Sequence, residues 1–456
     1  MNNMKDLTKG YPAKVILMFT IPLMLGSIFQ QLYNMADSKI VSTFVGTGAL
    51  AAVGATSVIS NTLIGFINGL TQGFAILIAN SFGAKDEKRM RHYVAGTVIL
   101  TAVATVLLTV FGMAFIEPIL RLLKTPEDIF GSALSYVKII IMGVVFTAIY
   151  NVCANVLRAV GDSKTPLYCL MAAVAANILL DLLFVAVFGW GIKGAAYATI
   201  LAQAMCGILC AAYALIKFKN LIPQGDEWKL TGVQYRELVT TGLSMGLMGC
   251  IVNIGTIVLQ GAINSLGTKI VAAHTAGRRV FEILMIIIFT TGLSMTTYVS
   301  QNMGAGKISR IKQGIRHAMV IVSLETTVLV VICLLFGEPV VHWLTNTTDR
   351  EIMDAAVMYI RVGIAFFYVL GPLFVLRCSL QGMGRKIIPV CSSILEMVLK
   401  VFSAKFLVPA LAYFGVALTE PISWIAMTLL LAAAYLVNPP EKVLEEQGGK
   451  KSRLGL

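Results

Sequence analysis

"STFVGTGALAAVGA" (42–55) recurs in altered form as "INSLGTKIVAAHTA" (263–276), with five of fourteen residues identical at an offset of 221. "SFGAKDEKR" (81–89) recurs at the same offset as "NMGAGKISR" (302–310). "LRAVGDSKTP" (157–166) recurs at an offset of 223 as "LQGMGRKIIP" (380–389). Three matches in one order and at nearly one spacing mark an internal duplication.

The composition says what is duplicated. Of 456 residues, 57% are hydrophobic and 13% charged, against about 25% charged in an ordinary soluble domain. Apolar runs such as "VAGTVILTAVATVLLTVFGMAF" (94–115) and "TVLVVICLLFG" (327–337) recur along the chain. A hydrocarbon core about 30 Å thick needs about 20 such residues per helix. The runs and their polar, Gly or Pro breaks give twelve spans, near 13–44, 48–79, 93–117, 131–157, 166–189, 193–217, 235–265, 269–300, 313–337, 353–379, 387–412 and 416–437. The expected fold is therefore an all-α polytopic membrane protein. Residues 1–217 form a first six-helix lobe, 218–234 a cytoplasmic linker, 235–437 a second lobe and 438–456 a cytoplasmic tail. Because six is even, both repeats enter the membrane the same way round, which predicts a pseudo-two-fold axis along the membrane normal.

Orientation follows from Lys and Arg. One side collects 24 of them, from Lys5, Lys9 and Lys14 through the loops at 83–92, 217–236 and 307–316 to Arg377, Arg385, Lys386 and the C-terminal Lys442, Lys450, Lys451 and Arg453. The other side has six, Lys39, Arg121, Lys124, Lys193, Lys269 and Arg350. Both termini are expected in the cytoplasm, with the chain in the plasma membrane. The net charge of +13 lies in these short loops and forms no basic domain, so no nucleic-acid partner is expected. No cleavable signal peptide is read, since the first apolar segment is too long for one. The eight cysteines fall inside predicted helices without metal or disulfide spacing, and Cys206 and Cys210 read as small core residues. The four histidines have no metal spacing, and no nucleophile elbow or P-loop is present. An enzyme and an ATP-driven pump are both disfavoured, as is a channel.

Charges inside the spans carry the functional reading, because each is costly unless paired, protonated or wetted. Glu396 and Lys400 stand four apart, acid first, and can pair on one helix face. Arg278 and Arg279 precede Glu282 by four and three residues and can neutralise it. These five residues are candidates for local ion pairs or for a cavity lining. Asp37, in "QQLYNMADSKIVSTFVG" (30–46), and Asp181 have no base three or four residues away; their neighbours at that spacing are Tyr33 and Asn177. A carboxylate among hydroxyls and amides suits a proton or a small hard cation such as Na⁺.

The ordered motifs "NMADSKIVSTFVG", "LRAVGDSKTP", "ANILLDLLFV", "GIKGAAYAT", "YVSQNMGAGK" and "TEPISW" resemble those of the multidrug and toxic compound extrusion (MATE) family over nearly the whole chain. The resemblance implies an antiporter that exports organic, often cationic, compounds against inflow of Na⁺ or H⁺, with no cofactor beyond the coupling ion. It maps a first-lobe cation site onto Asp37, Asn177, Asp181 and Thr199, with Tyr33 and Tyr136 lining the same pocket. One departure is that the seventh span lacks the Glu some branches carry: "GLSMGLMGCIVNIGTIVLQGAINSL" (242–266) has no acid. The alternative reading is a flippase for a lipid-linked oligosaccharide or lipid. Expected partners are small organic substrates and membrane lipid, with the chain a monomer. Gly65, Gly69 and Gly73 in "GFINGLTQG" are spaced for a close helix neighbour.

Overall fold

The computed structural model describes residues 6–123, 125–345 and 349–446. Lys5, Lys124, Lys450, Lys451, Arg453 and the tail beyond 446 lie outside the described residues. The described residues form α1 (Pro12–Phe44), α2 (Thr47–Gly83), α3 (Glu87–Leu122), α4 (Glu127–Ala159), α5 (Lys164–Asp181), α6 (Gly191–Lys217) and α7 (Gly232–Asn264). They continue as α8 (Thr268–Gly304), α9 (Ile308–Thr345), α10 (Arg350–Ala365), α11 (Phe367–Gly382), α12 (Ile387–Phe402) and α13 (Val408–Val437). A π-helical turn follows α5 at Leu182–Val187 and another follows α12 at Ser403–Leu407.

Among the described residues, ten helical stretches are long and apolar enough to cross a membrane. The expected tenth span is bent: α10 and α11 meet at an angle of 52°. Pro372, one and a half turns past the bend, cannot donate to the Tyr368 carbonyl, so little holds this segment straight. The helical run Ile387–Val437 has 51 residues, about 75 Å at 1.5 Å per residue and far too long for one crossing. It turns at Ala412, where the backbone leaves helical geometry (φ 50°, ψ −133°). Counting the bent pair once and the long run twice gives the twelve expected spans. Their outer faces are apolar. Val103, Val106, Leu107, Val110 and Phe111 form an exposed stripe on α3, a surface that a water-soluble monomer rarely presents.

The chain forms two compact units, one comprising Leu25–Gly246 and the other Asp6–Met24 with 247–446. The polar linker at 218–234 is therefore not where the contacts divide. The first part of α1 belongs with the second unit, and the first part of α7 with the first. In the second unit Thr20 Oγ1 donates to Ser294 Oγ at 2.8 Å, and the Leu7 amide donates to Gln301 Oε1 at 3.0 Å. In the first unit α7 lies directly on the glycines of α2. A Cβ on Gly69 would stand 2.7 Å from the Met245 carbonyl oxygen, and one on Gly73 2.6 Å from that of Thr241. Gly65 has nothing within 4 Å, so two of the three spaced glycines make the approach.

The duplication is written into the backbone. Positive φ occurs at Gly46 (106°) and Gly267 (97°), Lys85 (58°) and Gly306 (67°), Gly161 (87°) and Gly384 (84°), and Gly191 (59°) and Ala412 (50°). These pairs stand 221, 221, 223 and 221 apart, and the first three fall inside the repeated motifs. Each unit has its own core. Phe74, Tyr93, Leu157, Cys206 and Cys210 are buried in the first, as small-residue packing of the cysteines predicts. Phe281, Phe367 and Trp424 pack ring on ring in the second, with centroids 4.9–6.0 Å apart. The linker is fastened to α3, since Arg91 Nε donates to both Glu227 oxygens at 2.8 Å.

Candidate functional site

Asp162 fixes where α5 begins. Its Oδ1 accepts from the Lys164 and Thr165 amides at 3.1 Å each, and its Oδ2 from Thr165 Oγ1 at 2.6 Å. The motif "GDSKTP" is thus the N-terminal cap of the helix that carries Asn177 and Asp181. Asp181 is the last α-helical residue before the π turn, a local widening often found at functional positions.

The first unit brings the predicted residues together from four helices. Asp37 and Tyr33 come from α1, Tyr136 from α4, Asn177 and Asp181 from α5, and Thr199 from α6. Asp181 and Asn177 are fully buried, and Asp37, Tyr33 and Tyr136 nearly so. The Asp37 and Asp181 carboxyls face one another, Asn177 borders Asp181, and the Tyr33 hydroxyl lies beside Thr199. Tyr136 is close enough to sense both carboxyls.

Six polar atoms here are buried without a hydrogen-bond partner: Asp37 Oδ1, both Asp181 oxygens, both Asn177 amide atoms and Thr199 Oγ1. Buried polar atoms normally find partners, so this concentration points to a guest. No Lys or Arg pairs with either Asp among the described residues. Two adjacent carboxyls in a dry setting do not both stay ionised unless a cation joins them. Carboxylate, amide and hydroxyl oxygens are ligands for hard cations. Among the described residues no group of three His, Cys, Asp or Glu is placed to hold a metal ion.

The second unit holds a different arrangement, an alternating chain of charges. Glu282 pairs with Arg278 at 3.0 Å, Arg278 with Glu420 at 3.2 Å, and Glu420 with Lys400 at 3.2 Å. Lys400 pairs with Glu396 at 2.9 Å, and Arg377 reaches Glu396 at 3.8 Å. Thr256 Oγ1 accepts from Lys400 Nζ at 3.2 Å. The Lys400 side chain is 2% exposed and that of Glu282 is 47% exposed, so the chain of pairs runs from buried to open. Of the three pairs that helix spacing allows, Arg278–Glu282 and Glu396–Lys400 form. Arg279 is exposed and makes no ion pair among the described residues. Glu420 was missed, although it stands in "TEPISW", because its partners come from other helices. Arg377 groups with the loop cations by sequence, yet its side chain is only 11% exposed and lies against Glu396 and Ser392.

The MatE family model matches residues 22–183 and 245–405, one match for each repeat. The chain belongs to the MatE family. This MatE protein is a multi-pass membrane transporter and not an enzyme. It is 31% identical over 383 residues to "Probable multidrug resistance protein YpnP" of Bacillus subtilis (strain 168), covering 83% of this chain and 84% of that one. It is 24% identical over 394 residues to the "FAD transporter" of Shewanella oneidensis, covering 84% and 86%. Among solved structures it resembles "Crystal structure of MATE in complex with MaL6", with a TM-score of 0.89, 21% identity, and 97% and 100% of the two chains covered. An outward-facing MATE transporter gives the same TM-score at 22% identity, covering 97% and 99%.

Proposed function

We propose that this MatE protein is a secondary antiporter that exports organic, cationic or amphipathic compounds in exchange for Na⁺ or H⁺. Asp37, Asn177, Asp181 and Thr199 form the coupling site. The observation that carries this reading is the cluster of unpartnered buried oxygens around two facing carboxyls that have no counter-cation. The names of the relatives support the substrate class, since the Bacillus subtilis protein is described as a multidrug resistance protein. The charge balance supports a cationic cargo. Two acids of the first unit are uncompensated, whereas Glu282, Glu396 and Glu420 of the second unit pair with Arg278, Arg377 and Lys400.

The mechanism follows from the charge. With a proton or Na⁺ between them, Asp37 and Asp181 can stay close in a dry pocket; without it they repel and favour a wetter arrangement. The ion shifts the balance of two conformations only by its difference in affinity between them. An inward ion gradient therefore drives one conformation on one side of the plasma membrane and releases it on the other, with both termini in the cytoplasm.

The test is efflux of a cationic dye from proteoliposomes under an imposed Na⁺ or pH gradient, with an anionic flavin as comparison. Asp37→Asn and Asp181→Asn keep the shape and remove the titration, so gradient-driven export should fall at least ~10-fold while dye binding survives; each factor of ten is about 1.4 kcal/mol of coupling. Wild-type export by both variants would place coupling elsewhere.

A further inference from the structure

The second unit contains its own copy of the α1–α5–α6 site, and the repeat register identifies the corresponding residues. Pro166 and Pro389, near the starts of α5 and α12, are 223 apart. So are Phe184 and Leu407, whose carbonyls crowd Gly194 and Gly415 in the following helices. The register of α5 on α12 is thus the same at both ends. Gly194 and Gly415 are 221 apart and set the register of α6 on α13; Gly46 and Gly267 do the same for α1 and α7.

By that register Asn177 corresponds to Lys400 and Thr199 to Glu420. Asp37 corresponds to Val258 and Asp181 to Ala404, so both carboxylates of the first site are absent from the second. Tyr136 corresponds to Tyr359, which also borders the charge cluster. Lys400 stands three residues before the π turn Ser403–Leu407, and Asn177 five before Leu182–Val187. Its ammonium has three oxygen neighbours on the three helices of the copy: Thr256 on α7 at 3.2 Å, Glu396 on α12 at 2.9 Å and Glu420 on α13 at 3.2 Å. Arg278 and Arg377 also approach these carboxylates.

We propose that Lys400 is a tethered cation that permanently fills the second unit's copy of the ion site, so that only the first unit exchanges its ion, and that removing the Lys400 side chain opens a binding site there for a small monovalent cation. The proposal rests on the first-unit site being an ion site. It accounts for the missing acid in the seventh span, since a covalently held ammonium needs no partner at the Val258 position. Of the two repeat copies, it leaves the first-unit site as the exchangeable one.

The test uses full-length protein in detergent, with Asp37→Asn and Asp181→Asn already introduced to silence the first unit. Lys400→Ala is added, and thermal unfolding is followed against methylammonium and Na⁺, with choline, too large for the gap, as control. The expected result is a melting temperature that rises saturably with methylammonium or Na⁺ only when Lys400 is replaced. A folded Lys400→Ala protein with no such rise overturns the proposal. Should Lys400→Ala be recovered only with methylammonium present during extraction and not with choline, the proposal is supported. Should it be recovered with neither, while the charge-balanced Lys400→Met/Glu396→Gln protein is recovered, a free cation does not replace the lysine and the proposal is overturned. If the background variant itself keeps a cation response with Lys400 intact, the first-unit reading fails, whereas the comparison at position 400 remains readable.

Discussion

Ala412 holds φ 50° and ψ −133°, a conformation that side chains with a Cβ adopt only under strain. Its repeat counterpart is Gly191, at φ 59°. Ala412→Gly should therefore raise thermal stability, by about 1 kcal/mol, and Gly191→Ala should lower it; unfolding in detergent measures both. Glu227 gives a second prediction at this scale. Burial alone would raise its carboxyl, but the Gln224 amide and the Arg91 guanidinium outweigh that and hold it below the ordinary 4.5. A lowered carboxyl contributes stability above its unfolded value and loses it as pH falls through the folded one. The linker should thus loosen only below about pH 4.5, seen as a shift in Trp228 emission that Glu227→Gln does not show. Glu227→Gln should also speed tryptic cleavage at Lys219 and Lys229 at neutral pH. Asp37 and Asp181 could be picked out from sequence because a missing partner at i±3 or i±4 is a local fact. Glu420 could not, since it pairs with Arg278, 142 residues away. The burial of Arg377 is likewise a property of its neighbours on other helices.

At the scale of elements, the spans and their repetition were legible, since hydropathy and motif spacing are properties of the chain itself. The 52° bend between α10 and α11 was not, because an apolar run carries no record of direction. Nor was the joining of α12 and α13 into one helical run. The α2 glycines were half legible. Their spacing announced a close neighbour, but only the structure shows that Gly69 and Gly73 meet α7 while Gly65 faces open space. Gly69→Ala and Gly73→Ala should each cost about 1–3 kcal/mol, as overpacking does. Gly65→Ala should be neutral or slightly stabilising, because alanine is the better helix former. Thermal unfolding of the three variants side by side measures the contrast.

For the whole molecule, the loop charges argue that both termini face the cytoplasm. Lys88→Cys and Ser309→Cys, at exposed positions in the first turns of α3 and α9, should resist an impermeant thiol reagent applied to intact cells and react after permeabilisation. Labelling from outside would reverse the orientation; exposed Cys391 is replaced by Ser beforehand. The polar linker was visible in the sequence, but the division of the units after Met24 and after Gly246 was not. Those points are 222 residues apart, as the repeat requires, yet each falls inside an apolar helix where composition does not change.

That division has a consequence for how the protein is made. Residues 6–24 leave the ribosome well ahead of the side chains that receive them, since Ser294 and Gln301 are synthesised more than 270 residues later. At about 5–20 residues per second, the opening segment waits on the order of 15–60 s for its partners, already committed to the bilayer by the rest of α1. The second unit is therefore closed by a segment made long before the rest of it, and a nascent chain halted at the linker carries an apolar half-helix whose docking surface does not yet exist.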